Sequence, residues 1–152
     1  MTKKLTPELL MKIEKDLGKK KIVKVTTNTG EVIEVEMYDR IRESLIDKAI
    51  MNFIKMREEL ENRTFVSDEL AINSIRLLDF FLLKEISDLP IPDDISIEES
   101  VGIFQVLIDS NIAKTLIENI DKADQKLVSM KTKEVAKKIK ELAVALKSKT
   151  VI

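Results

Sequence analysis

The side chains best placed for chemistry lie in the stretch PDDISIEES, Pro92 to Ser100, where Asp93, Asp94, Glu98 and Glu99 gather four carboxylates. Oxygen ligands of this kind suit a hard cation such as calcium or magnesium. The same letters have a simpler use: Ser96 and Glu99 fit the S-x-x-E capping box, and acids are favoured in the first turn of a helix. The pair Asp93 and Asp94, taken with Asp124 and Lys126 of the later DQK, has the composition of a metal-dependent nuclease centre. That second piece falls in helical sequence rather than on a strand, and a chain with 35% charged residues supplies such triplets by chance.

The other catalytic templates fail on composition. The chain has no His, which removes the usual general base and the commonest metal ligand, and no Cys, which removes thiolate chemistry and disulfides. Its three glycines are isolated, so no glycine-rich phosphate cradle exists, and no serine has a lysine three residues on. The sequence therefore predicts no enzyme, no catalytic residue, no metal site and no cofactor.

What positions such side chains is a largely helical frame. At 152 residues the chain fits a single domain, 1–152, able to bury about two thirds of the surface its unfolded form exposes. Few Gly, Pro and turn clusters, with high charge, predict a mainly α protein. A short basic helix is expected over 1–21, started by Thr6 and Pro7, ended at Gly18 in a left-handed conformation, with Leu9, Leu10, Ile13 and Leu17 in one stripe. Residues 22–37 read as a β-hairpin: a three-residue loop at Asn28, Thr29 and Gly30 pairs Thr27 with Glu31, Val25 with Ile33 and Val23 with Val35, all apolar pairs on one face.

Residues 39–120 form the expected helical core. One helix runs from Asp39 to about Glu61, with Ser67 or Asp68 capping the next. From Leu70 to Ile86 the apolar residues occupy nearly every side, which predicts one central helix buried all round. Pro90 and Pro92 stop it. The resulting fold class is α+β, a compact helical bundle around a buried central helix, with an N-terminal hairpin and a long Lys-rich C-terminal helix over 122–152. In that last helix Val128, Val135, Ile139, Leu142 and Leu146 make a seam broken only by Thr132, the candidate partner-binding surface.

Charge is unevenly spread. Residues 1–24 hold eight lysines against three acids, residues 122–152 nine against three, and the segment between carries a net −12. Such ends attract the acidic middle of the same chain or of a second copy, or bind a polyanion. The lysine tail has no Arg and no aromatic for base reading or stacking, which argues against nucleic acid as the partner. No signal peptide follows the basic start, and Leu77 to Leu83 is far short of the roughly 20 residues a membrane span needs. A soluble, cytoplasmic protein is expected, with no membrane partner.

The order of elements, with LLKEISDLPIP and VLIDSNIAKTLIENI and the landmarks Asp88, Pro90, Pro92, Asp109 and Asn111, resembles the small tail assembly chaperones and neighbouring morphogenesis proteins of long-tailed phages that infect Gram-positive bacteria. The resemblance covers roughly Ile72 to Ile120. It implies a non-enzymatic protein, in the host cytoplasm, that keeps a helical client such as the tape-measure protein soluble. Two other classes stay open at this point: a structural tail or connector subunit that self-associates, and a nonspecific nucleic-acid-binding accessory protein using its Lys-rich ends.

Overall fold

The computed structural model describes residues 2–150, and for residues 138–150 it describes the backbone alone. Seven helices and one two-stranded antiparallel sheet are found among the described residues. They divide into two compact units, one up to Ile120 and one from Asp121 onward. The mainly helical α+β class with its N-terminal hairpin and long C-terminal helix is the architecture observed.

Helix α1, Pro7–Leu17, starts where Thr6 Oγ1 accepts the Leu9 amide at 3.1 Å. Its end differs from expectation. Gly18 has φ −82°, a right-handed conformation. The unpaired carbonyls that a left-handed cap would satisfy are met another way: Gly18 N–H donates to Glu14 and Lys15, and Arg42 Nη2 donates to Glu14 O at 3.2 Å. A cation at the negative end of a helix is favourable in its own right. None of the side chains of α1 is buried.

Strands β1, Lys20–Thr26, and β2, Val32–Tyr38, pair in the register read from the sequence, Val23 to Val35 and Val25 to Ile33. Period-two alternation buries Val23, Val25, Val35 and Met37 on one face, while Ile22 and Val32 stay exposed on the other. Gly30 closes the loop with φ +88° and donates to Thr27 O at 3.0 Å. An L side chain in this region costs roughly 1–2 kcal/mol, so Gly30→Ala is expected to destabilise the protein by about 1 kcal/mol and Gly30→Asn by less, read as a shift in urea midpoint. The space around Gly30 is open, so the penalty is conformational and involves no clash.

The hairpin is pinned along both edges. Beside β2, Asp88 N–H donates to Glu36 O and Asp88 Oδ1 accepts the Glu36 amide, both at 2.9 Å. Beside β1, Asn111 Nδ2 donates to Thr26 O, Asn28 Nδ2 to Asp109 O, and Lys21 Nζ to Asn119 O. Pairing a sheet's open edges removes the liability of unsatisfied backbone groups there.

Helix α2, Glu43–Glu61, begins four residues later than expected, because Asp39 still belongs to the hairpin: its amide extends the ladder to Lys19 O at 3.0 Å. Ile46, Ala49, Ile50, Met56 and Leu60 form its buried face. The single helix expected from Leu70 to Ile86 is two. Helix α3, Asp68–Ser74, capped by Ser67, gives way to α4, Leu77–Ile86, through i to i−3 bonds from Ile75 to Ile72 O, Arg76 to Asn73 O and Asp79 to Arg76 O. That tighter turn re-aims the apolar residues before the break: Ile72 and Ile75 are both 62% exposed, so burial on all sides does not extend to them.

Helix α4 alone keeps the central position. Leu77, Phe80, Leu82, Leu83 and Ile86 are buried, on more than one side of the helix, between α2, α5 and the hairpin end. Phe80 sits edge-on to Phe81, with ring centroids 5.7 Å apart, and tilted against Phe104 at 5.8 Å. Helix α5, Ile97–Asp109, carries the expected capping box of Ser96 and Glu99 and turns Ile97, Ser100, Phe104 and Leu107 inward. Asn111, left-handed at φ 72°, reverses the chain into the short helix α6, Ile112–Glu118, which buries Ala113 and Leu116 and lies against α5 and β1.

The second unit is helix α7, Lys122–Thr150. Val128 and Val135 of the seam are half-buried, and Thr132 satisfies its hydroxyl by donating to Val128 O at 2.7 Å. Ile139, Leu142 and Leu146 lie outside the residues whose side chains are described. No helix among the described residues is long and apolar enough to cross a membrane.

Candidate functional site

The acids at the loop before α5 do not converge. Asp93 pairs with Lys84 at 3.0 Å, and that hydrogen bond holds its carboxyl below the usual carboxylate range. Glu98 bonds Arg63, which likewise lowers its carboxyl, while Arg63 also reaches Glu59 at 3.2 Å. The Arg63 guanidinium is held still more firmly protonated by the two acids. Glu99 is committed to the capping box. Asp93 and Glu98 each tie the α5 region to another part of the fold, and exposed pairs of this kind add little stability apiece. Among the described residues no group of three or more His, Cys, Asp or Glu is placed to hold a metal ion. The DQK of the nuclease reading lies inside α7.

The basic N-terminal segment is similarly engaged. Lys19 pairs with Asp16 at 3.4 Å, the Lys20 ammonium lies 5.1 Å from the centre of the Tyr38 ring, and Lys21 donates to the Asn119 carbonyl. These contacts use up part of the cluster that would otherwise face a phosphate backbone.

A different feature offers a binding site. The first turn of α4, the second half of α5 and the whole of α6 enclose an open groove of about 520 Å³. Phe104 and Ala113, both buried, and Ile108 and Ile117, half-buried, form its floor. Arg76, Asp79, Lys114 and Glu118, all exposed, form its rim. The break between α3 and α4 brings Arg76 and Asp79 to one wall, and the reversal at Asn111 brings α6 to the other. Burial against the apolar wall pushes the Asp79 carboxyl up, although the residue as a whole is solvent-accessible.

The groove offers shape and charge at its surface. The rim has two cations and two anions, no nucleophile beside a base, and a hydrocarbon floor. A concave apolar surface with a few polar groups around it orients a ligand's apolar side chains and fixes register at its edges. A second cavity of about 200 Å³, between α2, α4 and the Ile91–Pro92–Asp93 loop, includes the Lys84–Asp93 pair in its lining and is too small for more than a single side chain.

The lining of the groove does not include Val128 or Val135, the described residues of the seam on α7 that the sequence offers for partner binding. Residues 104 and 108 lie on α5 and residues 113 and 117 on α6. Only the turn at Asn111 makes them converge.

The fold is that of a small, mainly helical protein with one N-terminal hairpin. More particularly, the chain belongs to the YomO family, a phage and Bacillus-prophage type family whose model matches residues 8–150. No curated protein and no solved structure matches the chain.

Proposed function

We propose that this protein is a non-enzymatic phage assembly factor, a tail assembly chaperone that holds an amphipathic helix of a client such as the tape-measure protein in the host cytoplasm. The observation that carries this reading is the groove of α4, α5 and α6: its hydrocarbon floor and mixed-charge rim suit the helix-in-groove mode, in which anchors at i, i+3 and i+7 fill the floor and flanking polar residues meet the rim. A phage-type family supplies the setting. The described part of the α7 seam, Val128 and Val135, offers a second apolar stripe to the same kind of client.

Co-expression with the tape-measure protein of the same genome tests the proposal. A soluble complex of the two is expected, with the client insoluble when expressed alone. A client that stays insoluble in the presence of this chain, with no complex recovered, would count decisively against it.

A further inference from the structure

Helix α1 is amphipathic and unpartnered. It fully buries no side chain, and of the stripe foreseen for it Leu9 is half-buried while the rest is open: Leu10 is 55% exposed, Ile13 42% and Leu17 42%. The helix is nonetheless held in place, since Thr6 caps one end and Arg42 bonds the other. A folded, anchored helix with a bare apolar stripe is a preformed ligand whose ordering cost is already met.

We infer that α1 of one copy docks in the α4–α5–α6 groove of a second copy, and that the exchange, made twice, closes a twofold dimer when no client is present. The occupant is argued from three features of this chain. Leu10, Ile13 and Leu17 stand at i, i+3 and i+7, the anchor spacing a helix-binding groove reads. The acids Glu14 and Asp16 flank that stripe on either side, opposite in sign to Arg76 and Lys114 on the rim. The segment 1–24 carries +5 and the segment 25–121 carries −12, so two copies attract over longer range than the contact itself.

A lipid surface fits less well. A membrane-surface helix has a polar face rich in Lys and Arg, whereas α1 has three acids, Glu8, Glu14 and Asp16, against two lysines, Lys12 and Lys15. Pairing of α1 with α1 of another copy would leave the groove empty and bring like-charged segments together.

The inference rests on the groove being a helix site, and the test separates the two ideas. Sedimentation of the full chain at low salt is expected to show a dimer that weakens as salt rises. Leu10→Glu with Ile13→Glu, both at exposed positions, removes two anchors from each of the two exchanged contacts and is expected to weaken the dimer about ten-thousandfold, each lost anchor counting for about tenfold, with unchanged circular dichroism. Ile117→Lys, present in both grooves, is expected to weaken it about a thousandfold. Mixing the two variants is the discriminating arm, because one still offers a groove and the other still offers α1: a heterodimer returns. A wild-type monomer at all concentrations, a dimer indifferent to the α1 variant, or a mixture that stays monomeric overturns the exchange. Binding of the chain to anionic vesicles that the α1 variant abolishes also overturns it, by assigning the stripe to lipid. Client capture by the α1 variant then reports on the groove separately: retained capture leaves the chaperone reading standing when the exchange fails, and lost capture by a variant whose groove is untouched shows that reading to be at fault.

Discussion

Phe80→Ala is expected to remove about 3–5 kcal/mol of stability, a large fraction of the roughly 5–15 kcal/mol that holds a typical domain folded. Phe80 is 1% exposed, in the middle of the central helix α4, and its ring meets both Phe81 and Phe104. Truncation to Ala opens a cavity and also breaks two ring contacts, each worth about 0.5–1.5 kcal/mol beyond its buried area, which places the loss toward the upper end. Phe81 is the internal control. It is one residue along the same helix but half-buried, so Phe81→Ala is expected to cost distinctly less. Urea unfolding measures both, with an unchanged slope showing that the native state remains compact. A Phe80→Ala loss no greater than that of Phe81→Ala would mean that α4 does not occupy the centre of the core.

That central position was legible in the letters of LLDFFLLKEI, because a helix apolar on many sides has nowhere to go but inside. The hairpin was legible for a stricter reason. A one-residue slip would turn Val23, Val25, Val35 and Met37 to solvent, so pattern and loop length admit one register. The capping box at Ser96 and Glu99 was readable because both partners are local.

The misses share a cause. The break at Ile75 and Arg76 has no Pro or Gly to announce it; both residues tolerate a helix, and beyond the tighter turn α4 meets α2 and α6 as well as the α5 that α3 already touches. Gly18 carried the usual letter of a left-handed cap, but Arg42, distant in sequence, reaches the Glu14 carbonyl. For α1 the stripe itself was evident, yet a stripe states which face is apolar and says nothing of what covers it. The polar landmarks of the family resemblance proved to be fasteners: Asp88 braces β2, while Asn111 and the Asp109 carbonyl tie the α5–α6 corner to the hairpin. The groove depends on that corner, so its floor could not be assembled from spacing within any one helix.

For the proposed chaperone activity, the largest single effect is expected from Ile117→Lys. Ile117 is half-buried on the floor of the groove, so a lysine can swing its ammonium to water and leave the fold standing, while the floor loses its hydrocarbon and gains a charge to desolvate. Central anchors in such contacts carry 2 kcal/mol or more, and every 1.4 kcal/mol is tenfold, so affinity for a client-derived helix is expected to fall about thirtyfold or more. Glu118→Lys, at the exposed rim, is expected to change affinity only a few fold and chiefly to alter its salt dependence. Fluorescence anisotropy with a labelled client peptide, alongside circular dichroism and thermal melting of each variant, separates the two. If the rim substitution proves costlier than the floor substitution, the attraction is electrostatic, and the apolar floor does not hold the client.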